Sequence, residues 1–385
     1  MALQRAAEMS SAAFTPPLAG LLAIPLPGGV LHLDIARSLM PLDRLCAFAV
    51  RHNARRSFLI VSKLLGRHLP ARPSAMRAAM RRLAGLIPAD LPEPMLVVGL
   101  AETAVCLGQG VHEELIRLGR NAGFVHSTRQ QGDHPLLCRF DEPHSHAASH
   151  LIYRPRGVDL GAVRSLVLVD DEVSTGTTLA NLSEALVAML PGVKHIGVAA
   201  LTDWSGGSDL LARLPRPASV ASLLSGALRW QPAPAPSPVA VGAPPGGSFG
   251  AMPAGDFGRL GRGGPFALPD PPPLPPGTAV RILGTGEFTF PPFLLAERLE
   301  QSGIDVVVQA TTRSPVAVGG PIASALQFGD NYGAGVHNFL YNARRGDGRH
   351  SIVCHETPPG SVDPGLVAAL DATCVYFEGD PSCAP

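Results

Sequence analysis

Apolar residues occur along this chain in two patterns. Continuous runs at 95–100, 166–169 and 196–201 end in polar or glycine-containing segments, and such runs predict strands buried on both faces. Stretches at 74–86, 111–120 and 179–190 carry apolar residues at helical spacing and predict helices. Shorter segments at 31–35 and 123–127 add two strand candidates. Near-helical spacing also runs over 42–50 and 58–65. The basic stretch 53–70 around the latter predicts an amphipathic helix packed on the sheet. Its alternative is a hood over a ligand pocket, with Arg55, Arg56 or Lys63 facing an anion. Strands that alternate with helices indicate α/β units around a mainly parallel sheet. The alternation resumes at 279–283 (strand), 292–302 (helix) and 305–309 (strand), which predicts a second, smaller α/β domain.

Composition divides these two regions. The segments 232–250 and 265–277 are dominated by Pro, Gly, Ala and Ser. Such a stretch buries too little to offset its ordering entropy, and proline makes it a semi-extended spacer. The expected organisation is a loosely ordered extension over 1–29, a first domain over 30–231, a linker over 232–278 and a second domain over 279–385. A spacer of that kind leaves the mutual arrangement of the domains open.

Charge and cysteine content narrow the function classes. Lys plus Arg and Asp plus Glu both number 31, so no bulk field attracts a polyanion and nucleic acid is not an expected partner. The six cysteines form no Cys-x-x-Cys pair, which predicts free thiols in a reducing compartment. The apolar stretch 18–31 is broken by Pro25, Pro27, Gly28 and Gly29. It is too short and too interrupted for a membrane span, and it lacks the basic flank of a signal peptide. The expectation is a cytoplasmic protein with no membrane partner.

One segment carries most of the chemistry. Leu166-Val167-Leu168-Val169 runs into Asp170-Asp171-Glu172-Val173 and then Ser174-Thr175-Gly176-Thr177-Thr178, before the predicted helix. A loop of hydroxyl residues and glycine at a helix N-terminus is an anion cradle, built from N–H groups, hydroxyls and the helix dipole. The two acids cannot bind that anion. Their place at the carboxyl end of a strand suits hydrogen bonding to sugar hydroxyls, directly or through a hydrated Mg²⁺. The alternative is an ordinary strand–loop–helix with an acid-rich turn.

This segment resembles the PRPP-binding motif of the type I phosphoribosyltransferases. The resemblance implies Asp170 and Asp171 at the ribose hydroxyls and the bound Mg²⁺, and Ser174, Thr175, Gly176, Thr177 and Thr178 around the 5′-phosphate. It implies a type I phosphoribosyltransferase fold, α/β and Rossmann-like with a parallel sheet, plus the smaller α/β C-terminal domain. In that fold the early strand and loop, here Val97-Val98-Gly99-Leu100-Ala101-Glu102-Thr103-Ala104, hold pyrophosphate, with Glu102 and Thr103 as candidates. A strand end capped by a glutamate is the plainer reading. Arg129 follows a strand candidate and is either a phosphate contact or a surface arginine. The polar segment 140–150 stands where type I enzymes carry a mobile lid. There His144 and His146 would offset pyrophosphate charge or move a proton. The alternatives are a metal site that adds His150, or a solvated loop.

The chain further resembles the orotate-phosphoribosyltransferase-like proteins of bacterial tellurite-resistance and stress-response gene clusters. These carry a C-terminal domain named for its Thr-Arg-Ser-Pro motif, present here as Thr312-Arg313-Ser314-Pro315. Arg56-Ser57-Phe58-Leu59-Ile60-Val61-Ser62-Lys63-Leu64-Leu65-Gly66 and Gly284-Thr285-Gly286-Glu287-Phe288 share in the resemblance. So do Asp330-Asn331-Tyr332-Gly333 and Asn338-Phe339-Leu340-Tyr341-Asn342. It implies transfer of 5-phosphoribosyl from PRPP, with Mg²⁺, to a base-like acceptor in the making of a nucleoside-like metabolite, and a homodimer is a further expectation. A module that binds PRPP or a nucleotide without transferring it would use the same loop. In the second domain, Gly284-Thr285-Gly286 is a weak phosphate-loop candidate. Asp330, Asn331, Asn338 and Asn342 either bond one another or line a site, and Arg313 is placed to grip a phosphate or carboxylate.

Overall fold

The computed structural model describes residues 19–51, 57–141, 149–206, 209–233, 249–262 and 264–379. Its larger sheet has the strand order Gly20–Leu26, Gly29–Ser38, Ala218–Pro232, His195–Asp203, Ser165–Val173, Met95–Gly99, Ala122–His126. The last five run parallel, and Gly29–Ser38 joins them antiparallel to Ala218–Pro232. Every residue of Met95–Gly99 is buried, as its unbroken apolar run requires. The helices Pro73–Ala84 and Val105–Arg117 pack on each other and on this sheet. Gly108 allows the helix backbone to approach the sheet, since a Cβ there would lie 2.7 Å from the Gly99 Cα.

Strand order locates the place where a ligand would enter. In chain order the five parallel strands read 2-1-3-4-5 across the sheet, so the winding reverses between Met95–Gly99 and Ser165–Val173. Ligands of open α/β sheets sit outside the carboxyl ends at that reversal. The loops there are 100–104 and 174–176, and these carry the sequence motifs.

The second sheet is wholly parallel and ordered Val306–Ala310, Ala279–Gly284, Arg349–His355, Thr373–Tyr376. Its winding also reverses once, between Ala279–Gly284 and Arg349–His355. The helix Phe290–Gln301 follows its first strand, and the hairpin Ala325–Gly329/His337–Tyr341 and helix Pro364–Leu370 complete the domain.

The two domains share one core. A single hydrophobic cluster runs from Leu83 and Val97 to Ile282 and Phe293. Across it Arg77 donates to Glu297 at 2.8 and 2.9 Å and to Glu113 at 2.7 Å. The backbone of Ala71 exchanges two hydrogen bonds with Val308, at 3.0 and 2.8 Å, and Ala310 donates to the Gly66 carbonyl at 2.8 Å. Gly66 has φ +67°, and a Cβ there would lie 2.6 Å from the Val308 carbonyl oxygen, so glycine permits this contact.

Four expectations change. Residues 58–62 form a strand, Phe58–Ser62, paired antiparallel with Cys46–Val50, and not a helix. Four apolar residues are too few for periodicity to separate the two, and Ile60 and Val61 are β-branched. The helical reading of 42–50 holds only for Leu42–Leu45. Gly20–Leu26, read as a loose extension, is an edge strand, a position that tolerates Pro25. The linker reading fails over 249–262, where Gly250–Ala251 pairs with Gln130–Gln131 and Phe257 stands edge-on to Phe288 at 4.8 Å. Burial of Phe257, Arg259 and Leu260 supplies what a count of Pro and Gly omits. With the core shared, the arrangement of the domains is not left open.

Candidate functional site

The strand Ser165–Val173 is longer than its apolar run predicts and includes Asp170, Asp171 and Glu172, all partly buried at its carboxyl end. The Asp171 amide donates to Asp170 Oδ1 at 2.9 Å. Burial first, and the adjacent Glu172 charge second, push the Asp171 carboxyl up to about 6, against smaller opposing effects from Asp170 and Arg67. The sign follows. Between the ordinary aspartate value and pH 6 the unfolded carboxyl gives up its proton before the folded one, so this group subtracts stability as pH rises through that window. Asp171→Asn is therefore expected to be more stable than the parent at pH 8 by about 1–2 kcal/mol after allowance for partial solvation. The difference should vanish near pH 4. Urea titrations at the two pH values measure it, and equal stability at both would contradict the assignment.

The hydroxyl loop follows. Gly176 has φ +71° and caps the helix Thr177–Met189. Thr175 and Thr177 hydroxyls lie 3.1 Å apart. Arg213 donates to the Thr175 carbonyl and, at 3.3 Å, to Thr177 Oγ1. Nothing in the sequence around Arg213 marks it as a partner of this loop. Ser174 and Thr178 are partly buried beside them.

The 100–104 loop, with a cis peptide between Ala101 and Glu102, is held from several sides. The Leu100 amide donates to the Val169 carbonyl at 3.0 Å, which ties this loop to the acid-bearing strand. Ala101 N–H donates to Ser127 Oγ at 2.9 Å. Ser127 Oγ lies 3.1 Å from His150 Nδ1, and Arg129 Nη2 lies 3.1 Å from His150 Nε2. An arginine can only donate, so His150 accepts at Nε2 and carries its proton on Nδ1. His150, buried and stacked on Phe140 at 4.8 Å, thus holds Arg129 in place. Of the three histidines of the metal alternative only His150 lies among the described residues. His144 and His146 lie outside the described residues, as do Arg55 and Arg56. Lys63 donates to the Asp43 carbonyl at 2.7 Å.

Arg67 is a junction residue that the helix reading of 53–70 hides. It is 3% exposed and donates to the Glu102 carbonyl at 2.6 Å, to Gly286 at 2.8 Å and to Thr311 at 2.5 Å. It thus joins the 100–104 loop to the second domain. Glu102 itself accepts from Thr312 Oγ1 at 3.1 Å and lies 3.6 Å from Arg67 Nη1. Thr103 is partly buried beside it. A recess at this junction is lined by Glu102, Arg129 and Gln130 of the first domain and Gly286, Glu287, Arg313 and Tyr332 of the second.

The Gly284-Thr285-Gly286 turn spends two of its polar groups within the second domain. The Gly286 amide donates to Thr311 Oγ1 at 2.8 Å and the Phe288 amide to the Thr285 carbonyl at 2.9 Å. The next side chain, Glu287, reaches the first domain. Its carboxylate accepts from Thr128 Oγ1 at 2.5 Å and from the Arg129 amide at 2.7 Å. Burial raises its proton affinity, but Arg259, His126 and these donors outweigh that and hold it below the ordinary carboxylate value. Arg259, 1% exposed, grips Glu356 through two bonds of 2.5 and 2.8 Å and lies 3.5 Å from Glu287. Tyr332 completes the cluster, donating to Glu356 at 2.9 Å. Asp330, Asn331 and Asn338 bond within the second domain, while Asn342 also reaches the first. Asp330 accepts from the Ala334 amide at 2.6 Å and from Asn338 at 3.4 Å, and Asn342 donates to the His68 carbonyl at 3.0 Å.

Comparison with known proteins agrees with this layout. Residues 45–227 match the model of a phosphoribosyl transferase family, and residues 274–370 match that of the TRSP domain, which stands C-terminal to it. No curated protein matches the chain. Among solved structures, adenine phosphoribosyltransferase from Rhodothermus marinus is 18% identical, with 48% of this chain and 96% of that one covered and a TM-score of 0.35. Orotate phosphoribosyltransferase from Aeropyrum pernix is 21% identical, with coverage of 44% and 79% and a TM-score of 0.27. Adenine phosphoribosyl transferase from Trypanosoma brucei, in complex with AMP, pyrophosphate and ribose-5-phosphate, is 12% identical, with coverage of 47% and 77% and a TM-score of 0.31. No helix among the described residues is long and apolar enough to cross a membrane.

Proposed function

Since residues 45–227 belong to the phosphoribosyl transferase family and residues 274–370 to the TRSP domain that accompanies it, we propose that this chain transfers the 5-phosphoribosyl group of PRPP to a nitrogen of a base-like acceptor. The observation that carries the reading is one juxtaposition. The acids Asp170 and Asp171, the 174–178 hydroxyl loop and the 100–104 loop meet at the carboxyl edge where the strand order reverses. One loop suits the 5′-phosphate, the acids suit the ribose hydroxyls, and the other loop suits pyrophosphate.

In the reaction the bond from ribose C1 to the pyrophosphate oxygen breaks, a bond from C1 to the acceptor nitrogen forms, and the acceptor gives up a proton. The sugar passes through a cationic, oxocarbenium-like state. Catalysis therefore rests on positioning and on charge placed in advance, with no covalent nucleophile. Ionised Asp170 and Asp171 hold the two ribose hydroxyls and place negative charge near the developing cation. The Thr175 and Thr177 hydroxyls and the first turn of the helix Thr177–Met189 hold the 5′-phosphate, with Gly176 permitting the turn. Arg129, set by His150, lies on the side of the 100–104 loop.

Mg²⁺ fits this donor set. The described residues offer adjacent carboxylates at Asp170 and Asp171 and no closed cage of ligands. That is the pattern of an ion that keeps its waters and rides on the phosphates of its substrate. When bound, the ion would neutralise the leaving pyrophosphate.

Calorimetry with PRPP, with and without Mg²⁺, tests the reading. Micromolar binding that requires the ion is expected, followed by release of pyrophosphate when candidate bases are added. Absence of binding in both conditions would refute it. Binding with no release for any base would make the chain a PRPP-binding module.

A further inference from the structure

The Thr312-Arg313 turn of the second domain reaches the first domain's 100–104 loop, and its guanidinium is not used up in doing so. Glu102, the acid nearest the turn, is engaged by the Thr312 hydroxyl at 3.1 Å, by the Arg313 amide at 3.5 Å and by Arg67 at 3.6 Å. The Arg313 side chain bonds none of these. Its Nη2 stands 3.8 Å from Asp330, beyond hydrogen-bond range, and its Nη1 is buried with no partner among the described residues. Asp330 is meanwhile satisfied by the Ala334 amide and Asn338. Arg313 lines the same recess as Arg129, so arginines from both domains border one space beside the 100–104 loop, together with Glu102 and Glu287. A buried guanidinium N–H without an acceptor is costly. Nature tolerates it where a ligand supplies the acceptor, and the planar fork of an arginine matches a phosphate.

We propose that the second domain completes the pyrophosphate end of the transferase site, with Arg313 donating to the pyrophosphate group of PRPP from across the domain boundary. This rests on the transferase reading. It also gives the second domain a part in the first domain's reaction. The Thr312 hydroxyl and Arg67 fix Glu102, and through it the loop, while the Arg313 guanidinium meets the charge that leaves. Closed in this way, the site belongs to both domains.

The test compares two ligands on the full chain, both with Mg²⁺. PRPP carries the pyrophosphate group, and ribose 5-phosphate has the same sugar and 5′-phosphate without it. For Arg313→Gln the affinity for PRPP is expected to fall at least tenfold while that for ribose 5-phosphate stays within twofold. Arg313→Lys, which keeps the charge but loses the fork, should fall between the two. Retained binding of ribose 5-phosphate reports that the first domain is folded. If the ratio of the two affinities matches the parent's in both variants, whether both ligands hold or both weaken together, the proposal is overturned. If the parent chain binds neither ligand, the transferase reading itself fails and this inference goes with it.

Discussion

Arg259→Ala is expected to lower the unfolding free energy by about 3–5 kcal/mol, the usual result of removing one partner from a buried ion pair. Arg259 grips both oxygens of Glu356 and lies 3.5 Å from Glu287. All three are buried. Loss of the guanidinium leaves two carboxylates close together away from water, with the Tyr332 hydroxyl, Thr128 and the Arg129 amide as their remaining donors. Urea denaturation followed by tryptophan fluorescence would measure the change. Arg259→Met combined with Glu356→Leu should recover more than half of it, since the stranded charge is then removed as well. A single-variant effect below about 1 kcal/mol would mean that water reaches the cluster and the pair is no more than a surface bridge. Because Arg259 lies in a Pro- and Gly-rich stretch that reads as a spacer, this result separates a structural arm from a passive tether.

Asp170→Asn/Asp171→Asn should weaken PRPP binding by about a hundredfold or more, while leaving the fold intact. A hydrogen bond to a charged acceptor is worth about 1.5–3 kcal/mol, so two lost together reach that factor. The amides keep the shape of the carboxylates but only one acceptor oxygen each, so the loss reports charge and acceptors with little change in packing. Stability should hold or rise, because the Asp171 carboxyl is already held against its tendency to be neutral. An affinity within threefold of the parent would remove these acids from the site. Calorimetry with PRPP and Mg²⁺, beside a thermal melt of the same samples, reads both outcomes.

What the sequence disclosed follows the range of the interactions involved. The Asp170–Thr178 segment was legible because strand, acids, hydroxyl loop and helix are contiguous, and each step has a local cause. The buried run ending at Gly99 was legible for the same reason. Arg67 was not, because its value lies in reaching Gly286 and Thr311, more than two hundred residues away. Arg259 was hidden by its neighbours: one long cation among glycines and prolines gives no periodicity. The weak Gly-x-Gly signal says nothing of the side chain that follows, and Glu287 reaches Thr128 and the Arg129 amide of the first domain. The strand Ala218–Pro232 escaped notice because its outer half alternates polar and exposed positions with few apolar ones. Its partner Gly29–Ser38 lies nearly two hundred residues earlier.

The backbone bonds between 66–71 and 308–310 bear on how such a protein can be taken apart. An outer strand of a sheet offers unpaired N–H and C=O groups to any chain that passes. Here Val306–Ala310 has one flank on Ala279–Gly284, and the other is met by a stretch that precedes the entire larger sheet except its two antiparallel strands. Expressed alone from residue 279, the C-terminal unit would present that flank bare and would be prone to self-association. A fragment that carries residues 57–72 in trans should be recruited to it. The two units are therefore interleaved in the chain, and a gene split at the proline-rich segment would cut the molecule where it is not divisible.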